Sequence, residues 1–122
     1  MDAKRLHDNA RGFTMIEILI VVVIIGILAA IAIPSLTRQR QKGYDTTAMS
    51  DIKNAYSAAQ AYFSSYPDAT LDLSKLESSG FGESKGVALT VVSGTQLGLN
   101  MTASHQSGSK HYTVDANGAI SQ

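Results

Sequence analysis

The chain has 122 residues, a length suited to one small domain. Ten Lys and Arg residues balance ten Asp and Glu residues, so the net charge provides no general attraction for nucleic acid. The chain contains no cysteine, which excludes disulfide bonds, thiolate metal ligands and a thiol nucleophile. Residues 18–33 carry no polar side chain, whereas residues 35–122 have the composition of a soluble domain. These features predict a membrane-associated chain with a small head.

The apolar segment near the N-terminus is long enough to cross a bilayer as a helix. Residues 18–37 are uncharged, and a helix of about twenty residues spans the hydrocarbon core. Many of these residues are β-branched, but within lipid only a helix satisfies its own backbone hydrogen bonds. Charge does not determine the orientation of this span, because equal numbers of basic residues flank it. They are Lys4, Arg5 and Arg11 before it, and Arg38, Arg40 and Lys42 after it.

Three interpretations of this segment compete. It can be a single-span anchor that stays intact. It can be an ordinary secretory signal with a cleavage site at residues 30–32 (Ala-Ile-Ala), although Glu17 then lies at the head of its apolar stretch. The third interpretation starts from residues 12–17, Gly-Phe-Thr-Met-Ile-Glu, which follow a short charged leader. This sequence, followed by an apolar run to Pro34, resembles the N-terminus of type IV pilins.

The resemblance implies a role for five residues. It implies cleavage by prepilin peptidase after Gly12 and N-methylation of the new N-terminal residue, Phe13. Glu17 matches the acidic residue that pilins retain within the apolar helix. Gly26 and Pro34 match the positions between which pilin helices loosen in assembled filaments. Proline lacks an N–H donor and obstructs the preceding turn, so a kink or opening is expected at this point, either for assembly or as a bend at the membrane edge.

Two roles for Glu17 remain open. An ionisable group inside a membrane is a functional candidate, and the pilin resemblance pairs it with the Phe13 amine of a neighbouring subunit. Thr14 and Glu17 also have the spacing of a capping box, in which the carboxylate satisfies a backbone N–H at the positive end of the helix. Both roles can apply at different stages.

The head is predicted to begin with the amphipathic half of the same helix. Apolar or aromatic residues recur at intervals of three or four, as one helical face requires. They are Tyr44, Ala48, Ile52, Ala55, Ala59, Tyr62 and Tyr66. Asp51 is expected on another face. Pro67 disfavours helix at the residue before it, so one helix is predicted from about residue 14 to residue 65.

The rest of the head is predicted to be a short turn and a small sheet. The turn is expected where three leucines interrupt a polar connector. Strands are expected at residues 87–92, 97–102, 110–115 and 119–121, with an Asn-Gly turn at 117–118. The fold class is therefore α+β, a long N-terminal helix packed on an antiparallel sheet of about four strands.

The predicted organisation has three parts. Residues 1–12 form the leader, residues 13–34 the transmembrane and assembly helix, and residues 35–122 a periplasmic or extracellular head. The head comprises the amphipathic helix at 35–66, the connector at 67–86 and the strands at 87–121.

No catalytic or metal-binding constellation emerges from the sequence. His105 and His111 have no clustered carboxylates beside them and are expected to be exposed turn residues rather than metal ligands. Residues 115–118 lack most ligands of a calcium loop and are better explained as a turn. We therefore expect no metal, no cofactor and no enzymatic activity.

The function implied by the resemblance is that of a structural subunit of a type IV pilus, which polymerises through its N-terminal helix after cleavage. The expected partners are identical subunits, prepilin peptidase, the inner-membrane pilus assembly machinery and, before assembly, membrane lipid. Residues 38–42 carry a basic cluster that is expected to face headgroups or neighbouring subunits rather than nucleic acid. The expected location is the bacterial inner membrane, crossed once, and then an extracellular filament. The alternative is a pseudopilin of a type II secretion system; many of these carry a calcium site whose ligands are missing here.

Overall fold

The computed structural model describes Gly12 and residues 14–122. The predicted leader residues 1–11 and Phe13 lie outside the described residues. The elements are α1 (Met15–Ser65), α2 (Leu73–Ser78), β1 (Val87–Ser93), β2 (Asn100–His105), β3 (His111–Asp115) and β4 (Ile120–Ser121). The chain divides into two units between Thr37 and Arg38, and α1 contributes residues to both.

Helix α1 occupies almost the whole range predicted from the sequence. It begins after Thr14 and ends at Ser65, where the Tyr66 N–H donates to the Tyr62 carbonyl across 2.9 Å. Pro67 follows, and a proline disfavours the helical conformation of the residue before it, so the chain leaves the helix at Tyr66. The predicted long helix is confirmed.

The four strands form one antiparallel meander in the order β1-β2-β3-β4. Between β3 and β4 the chain turns at residues 117–118, where Gly118 has a φ of 82° that favours glycine. The Asp115 carboxylate supports this turn by accepting the N–H groups of Asn117 and Ala119 at 2.9 and 3.0 Å. The predicted α+β fold and its Asn-Gly turn are confirmed.

The second strand starts later than the sequence predicts. It runs from Asn100 to His105, while Leu97 lies in the preceding loop and is 94% exposed. The chain cannot turn directly after β1, because the Leu71 N–H donates to the Gly94 carbonyl across 2.7 Å. A side chain at Gly94 would collide with the Leu71 carbonyl oxygen, so this contact keeps the chain extended beyond β1. The strand prediction at Leu97 is therefore wrong.

A single hydrophobic cluster joins α1, the connector and the sheet within residues 38–122. The predicted helix face is confirmed from Ala48 to Ala59, and Tyr62 packs part-buried against the core, but Tyr44 and Tyr66 are exposed. Phe63, four residues after Ala59, is 1% exposed and is the fully buried aromatic residue at this end of the face. The fully or nearly buried apolar residues are Ala48, Ile52, Ala55, Ala59, Phe63, Leu71, Leu76, Phe81, Val87, Leu89, Leu99, Met101, Ala103, Tyr112 and Val114.

Two buried aspartates on α1 tie the loops of the head to the helix. Asp51 is 4% exposed, and its carboxylate accepts the Ser84 N–H and the Ser84 hydroxyl, both at 2.7 Å. The placement of Asp51 outside the packed face was therefore wrong, because a buried carboxylate is tolerated where donors satisfy it. This pair of bonds fixes the end of the connector beside the start of β1.

Asp45 holds the loop between β2 and β3. Its carboxylate accepts the N–H groups of Ser109 and Lys110 at 2.8 and 3.0 Å and the Ser109 hydroxyl at 3.0 Å. Burial alone would raise the pKa of Asp45, but these hydrogen bonds, together with the charge of Lys110, hold the pKa below its usual value. Gly108 passes so close to the carboxylate that a side chain there would collide with it.

The burial of the core residues predicts that charged substitutions at Ile52 and Leu97 change the free energy of unfolding by very different amounts. Every apolar residue that is buried in the described part of the chain lies within residues 35–122, so we expect this fragment to fold by itself. Ile52→Asp places an unpaired charge at a fully buried position and should unfold the fragment, at a cost of several kcal/mol. Leu97→Asp, at a 94% exposed position, should change the stability by less than about 0.5 kcal/mol. Thermal unfolding followed by circular dichroism measures both, and equal midpoints for the two variants would show that the helix face is wrongly assigned.

Asp45 predicts a dependence of stability on pH. An unfolded aspartate has a pKa of about 3.9, so a lowered folded pKa stabilises the head above about pH 4. This contribution is lost as the pH falls through the folded pKa. Asp45→Asn should cost about 1.5–3 kcal/mol at neutral pH, and its difference in melting temperature from the wild type should narrow in acid. Asp68→Asn, at an exposed position, is the control. A difference for Asp45→Asn that does not change with pH would contradict this account.

Candidate processing and assembly segment

The first part of α1 presents an uncovered apolar surface. Fifteen large apolar side chains between Met15 and Leu36 are 48–83% exposed. The helix that carries them is long and apolar enough to cross a membrane, and none of its most apolar window is buried. An apolar surface of this extent is typical of contact with lipid or with another protein.

The start of α1 is a capping box. The Thr14 N–H donates to Glu17 Oε2 across 3.2 Å, and the Glu17 N–H donates to Thr14 Oγ1 across 3.3 Å. The Ile18 N–H also donates to the Thr14 carbonyl, at 3.2 Å. The two reciprocal bonds satisfy backbone donors that a helix start otherwise leaves without partners. The cap predicted from the sequence is therefore present, with the carboxylate at the positive end of the helix.

Gly12 lies exposed just before this cap. Its φ of 120° falls in the region that favours glycine, and a Cβ at this position would meet no atom within 4 Å. The adjacent Phe13 lies outside the described residues, so the structure brings Thr14 and Glu17 together but does not test the pairing of Glu17 with the Phe13 amine.

Gly26 and Pro34 both lie inside α1, which continues through them without interruption. A Cβ at Gly26 would also meet no atom within 4 Å, so packing within the chain does not require glycine there. One turn after the proline, the Thr37 hydroxyl donates to the Ile33 carbonyl across 3.1 Å. The loosening of the helix between Gly26 and Pro34 stays a prediction.

His105 is the residue that the sequence interpretation misplaced most. It lies at the end of β2, is 9% exposed and stacks on Tyr44 with ring centroids 4.3 Å apart. Its Nδ1 accepts the Ser107 N–H at 3.0 Å. The alternation of buried positions along β2, which continues two residues at a time from Met101, was the signal that could have placed it. His111 is exposed, as predicted.

Metal binding finds no support in this part of the chain. Across Gly12 and residues 14–122, no three His, Cys, Asp or Glu side chains are grouped so that they could hold a metal ion. At the turn that faintly resembles a calcium loop, the Asp115 carboxylate instead accepts backbone N–H groups.

Comparison with known proteins identifies the family. Residues 7–33 match the family described as "Prokaryotic N-terminal methylation motif". The chain is 44% identical over 64 residues to the type IV major pilin protein PilA of Myxococcus xanthus. The alignment covers 52% of this chain and 29% of that protein. It is 35% identical over 101 residues to the type IV wide pilus major component PilA4 of Thermus thermophilus. This alignment covers 82% of the chain and 77% of that protein. The chain belongs to the type IV pilin family.

This pilin is also similar to a component of a secretion system. It is 41% identical over 58 residues to the type II secretion system core protein G of Escherichia coli. The alignment covers 48% of the pilin and 40% of that protein. The similarity to the Thermus pilus component extends over much more of the chain. The aligned regions span less than half of the Myxococcus and Escherichia proteins.

Proposed function

We propose that this pilin is a structural subunit of a type IV pilus and not an enzyme. The observation that carries the proposal is the run of fifteen exposed apolar side chains on α1, which requires a cover that Gly12 and residues 14–122 do not provide. The similarity to the Thermus wide pilus component over 82% of the chain supports the same function. In a filament, the cover would be the equivalent helices of other subunits.

The first step of this proposal is processing in the membrane. Before assembly, α1 would cross the bacterial inner membrane once, with lipid covering its apolar part. Prepilin peptidase would cut after Gly12, and Phe13 would become the methylated N-terminus. The exposure of Gly12 and the match of the methylation motif to residues 7–33 support this step. The inner-membrane assembly machinery would then move residues 13–34 from lipid into the filament core, with residues 35–122 as the outer head.

Glu17 has two successive roles in this proposal. In the single chain, its carboxylate closes the capping box with Thr14. In the filament, the same carboxylate would pair with the Phe13 amine of a neighbouring subunit, because cleavage creates a positive charge that must be compensated in an apolar core. One carboxylate has several acceptor sites, so the cap and the pair are compatible.

Loosening of α1 would accompany assembly. Proline removes one helical hydrogen bond, and glycine lowers helix stability by about 1 kcal/mol relative to alanine. Since a Cβ at Gly26 would meet none of the described residues, a glycine at this position of the helix is explained if residues 26–34 extend when subunits pack together.

A pseudopilin of a type II secretion system is the second candidate, and it rests on the similarity to core protein G. Both candidates share processing and a filament built on α1. They differ in the product, which is a surface pilus in one case and a pseudopilus associated with secretion in the other.

The N-terminal residue of the mature protein tests the proposed cleavage and methylation. Mass spectrometry should find an N-methylated Phe13 as the first residue, and a bulky substitution such as Gly12→Leu should leave the precursor uncut in the membrane. Gly43→Leu, at another exposed glycine, is the control and should be processed normally. An N-terminus at Ile33 would establish a secretory signal instead, and an intact leader would establish a simple anchor.

The pairing role of Glu17 can be separated from its capping role. Glu17→Gln keeps a side chain that serves in a capping box but removes the negative charge. If pairing with the Phe13 amine is needed, the variant should be cleaved and held in the membrane, yet yield few or no filaments. Breaking a buried pair costs about 3–5 kcal/mol, and the filament would meet this cost at every subunit.

The measurement compares the amount of sheared filament per cell with the amount of processed subunit in the membrane of the same cells. Identification of the dominant protein in the sheared filaments distinguishes a pilus from a secretion pseudopilus. Thr14→Ala is the matched control, because it breaks the capping box and keeps the charge of Glu17. It should form filaments more readily than Glu17→Gln. Normal filament yield from Glu17→Gln would leave the cap as the role of this residue.

A further inference from the structure

The exposed apolar residues of the head fall at two separate places. Within residues 38–122, the exposed large apolar side chains are Tyr44, Tyr66, Val92 and Leu97. Three of them lie where α1 and β1 end, and Tyr44 lies beside His105 at the start of β1. A single exposed leucine needs no explanation, but Leu97 is 94% exposed and lines one depression together with Pro67 and Ala69.

We name the first place the tip knob, which consists of Leu97 with Asp68 beside it. Asp68 and Leu97 line the same depression, of about 340 Å³. The loop that presents Leu97 is held in place, because the Gly98 N–H donates to Thr95 Oγ1 across 3.1 Å and the next residue, Leu99, is buried. A side chain on a fixed loop loses little conformational entropy when it binds.

We name the second place the socket, a cavity of about 300 Å³ lined in part by Tyr44, Lys85 and His105. The stacked rings of Tyr44 and His105 give it an aromatic wall, and Lys85 is exposed at its rim. Gly86, with a φ of 85°, passes so near His105 that a Cβ would approach Nε2 to 2.6 Å. Asp45, next to Tyr44, accepts hydrogen bonds from the loop after β2 and so also fixes the residues around the socket. The socket therefore exists before anything binds.

The tip knob and the socket lie at opposite ends of β1. The strand begins at Val87, next to the socket residue Gly86, and ends at Ser93, next to the loop that carries Leu97. A strand of this length spans about 20 Å, so the knob cannot reach the socket of its own chain. When two different patches join head to tail, each pair leaves one free patch of each kind, and the contact continues into an open filament where the rotation between subunits does not close a ring.

The two places are complementary in chemistry as well as in position. The knob offers an aliphatic side chain with an adjacent carboxylate, and the socket offers an aromatic wall with an ammonium group at its rim. We propose that the tip knob of one subunit docks into the socket of a second copy of this chain, with Leu97 on the Tyr44–His105 pair and Asp68 facing Lys85. This contact between heads rests on the proposed filament and adds to the packing of α1.

The lack of cysteine in the chain makes a direct test possible. Leu97→Cys combined with Lys85→Cys places thiols on both sides of the proposed contact. Thiols within one chain are too far apart to join, because a disulfide needs Cα atoms within about 7 Å. Sheared filaments treated with a mild oxidant should therefore give a ladder of linked subunits on a non-reducing gel. Leu97→Cys with Asn117→Cys, another exposed turn position, should give none.

Reversal of the charges tests the same contact without new covalent bonds. Asp68→Lys and Lys85→Asp should each lower the yield of sheared filaments several-fold, and the two together should restore it. Processed subunit in the membrane should stay at the wild-type level in all three strains, because both side chains are exposed.

The outcomes separate this contact from the filament itself. Normal filaments without a ladder, or a double reversal no better than either single one, would overturn the contact and leave the proposed function standing. A ladder of equal strength from the control pair would also overturn it. A wild-type chain that makes no filament would overturn the proposed function and this contact with it.

Discussion

The rest of this structure depends on an apolar helical surface that the described part of the chain leaves uncovered. Residues 15–36 expose fifteen large apolar side chains, and burial of such a side chain from full exposure stabilises a protein by about 1.5–3 kcal/mol. Water is therefore an unfavourable environment for this segment. Lipid and a bundle of identical helices are the two environments that satisfy it, and a pilin would occupy one before assembly and the other afterwards. The transfer between them would exchange one apolar cover for another, so burial of apolar surface by itself would not decide its direction.

The head meets a different constraint, because a small domain without disulfides has little core to hold its loops. Two carboxylates on the helix supply what the core lacks. Asp51 fixes the connector through Ser84, and Asp45 fixes the loop after β2 through Ser109 and Lys110. Bonds from backbone N–H groups to a charged acceptor are among the stronger hydrogen bonds in proteins. They also give the surface of the head a fixed shape, which any contact between subunits requires.

Much of the architecture could be predicted because it follows from local rules. The long helix, its end before Pro67, the capping box at Thr14 and the turn at residues 117–118 depend on neighbours within four positions in the sequence. The places where prediction failed depend on distant partners. Leu97 leaves the strand because Leu71 holds the preceding Gly94, and no pattern near Leu97 records that bond.

By itself, the sequence determined the apolar span, the start of α1, the α+β class and the resemblance to pilins, because periodicity, caps and short motifs are local properties. Only the tertiary structure decided that Asp45 and Asp51 are buried, that His105 stacks on Tyr44 and that Leu97 stands exposed. A carboxylate or an imidazole is buried only where donors or rings from another part of the chain meet it. Those partners lie more than thirty positions away in the sequence, and folding alone brings them together.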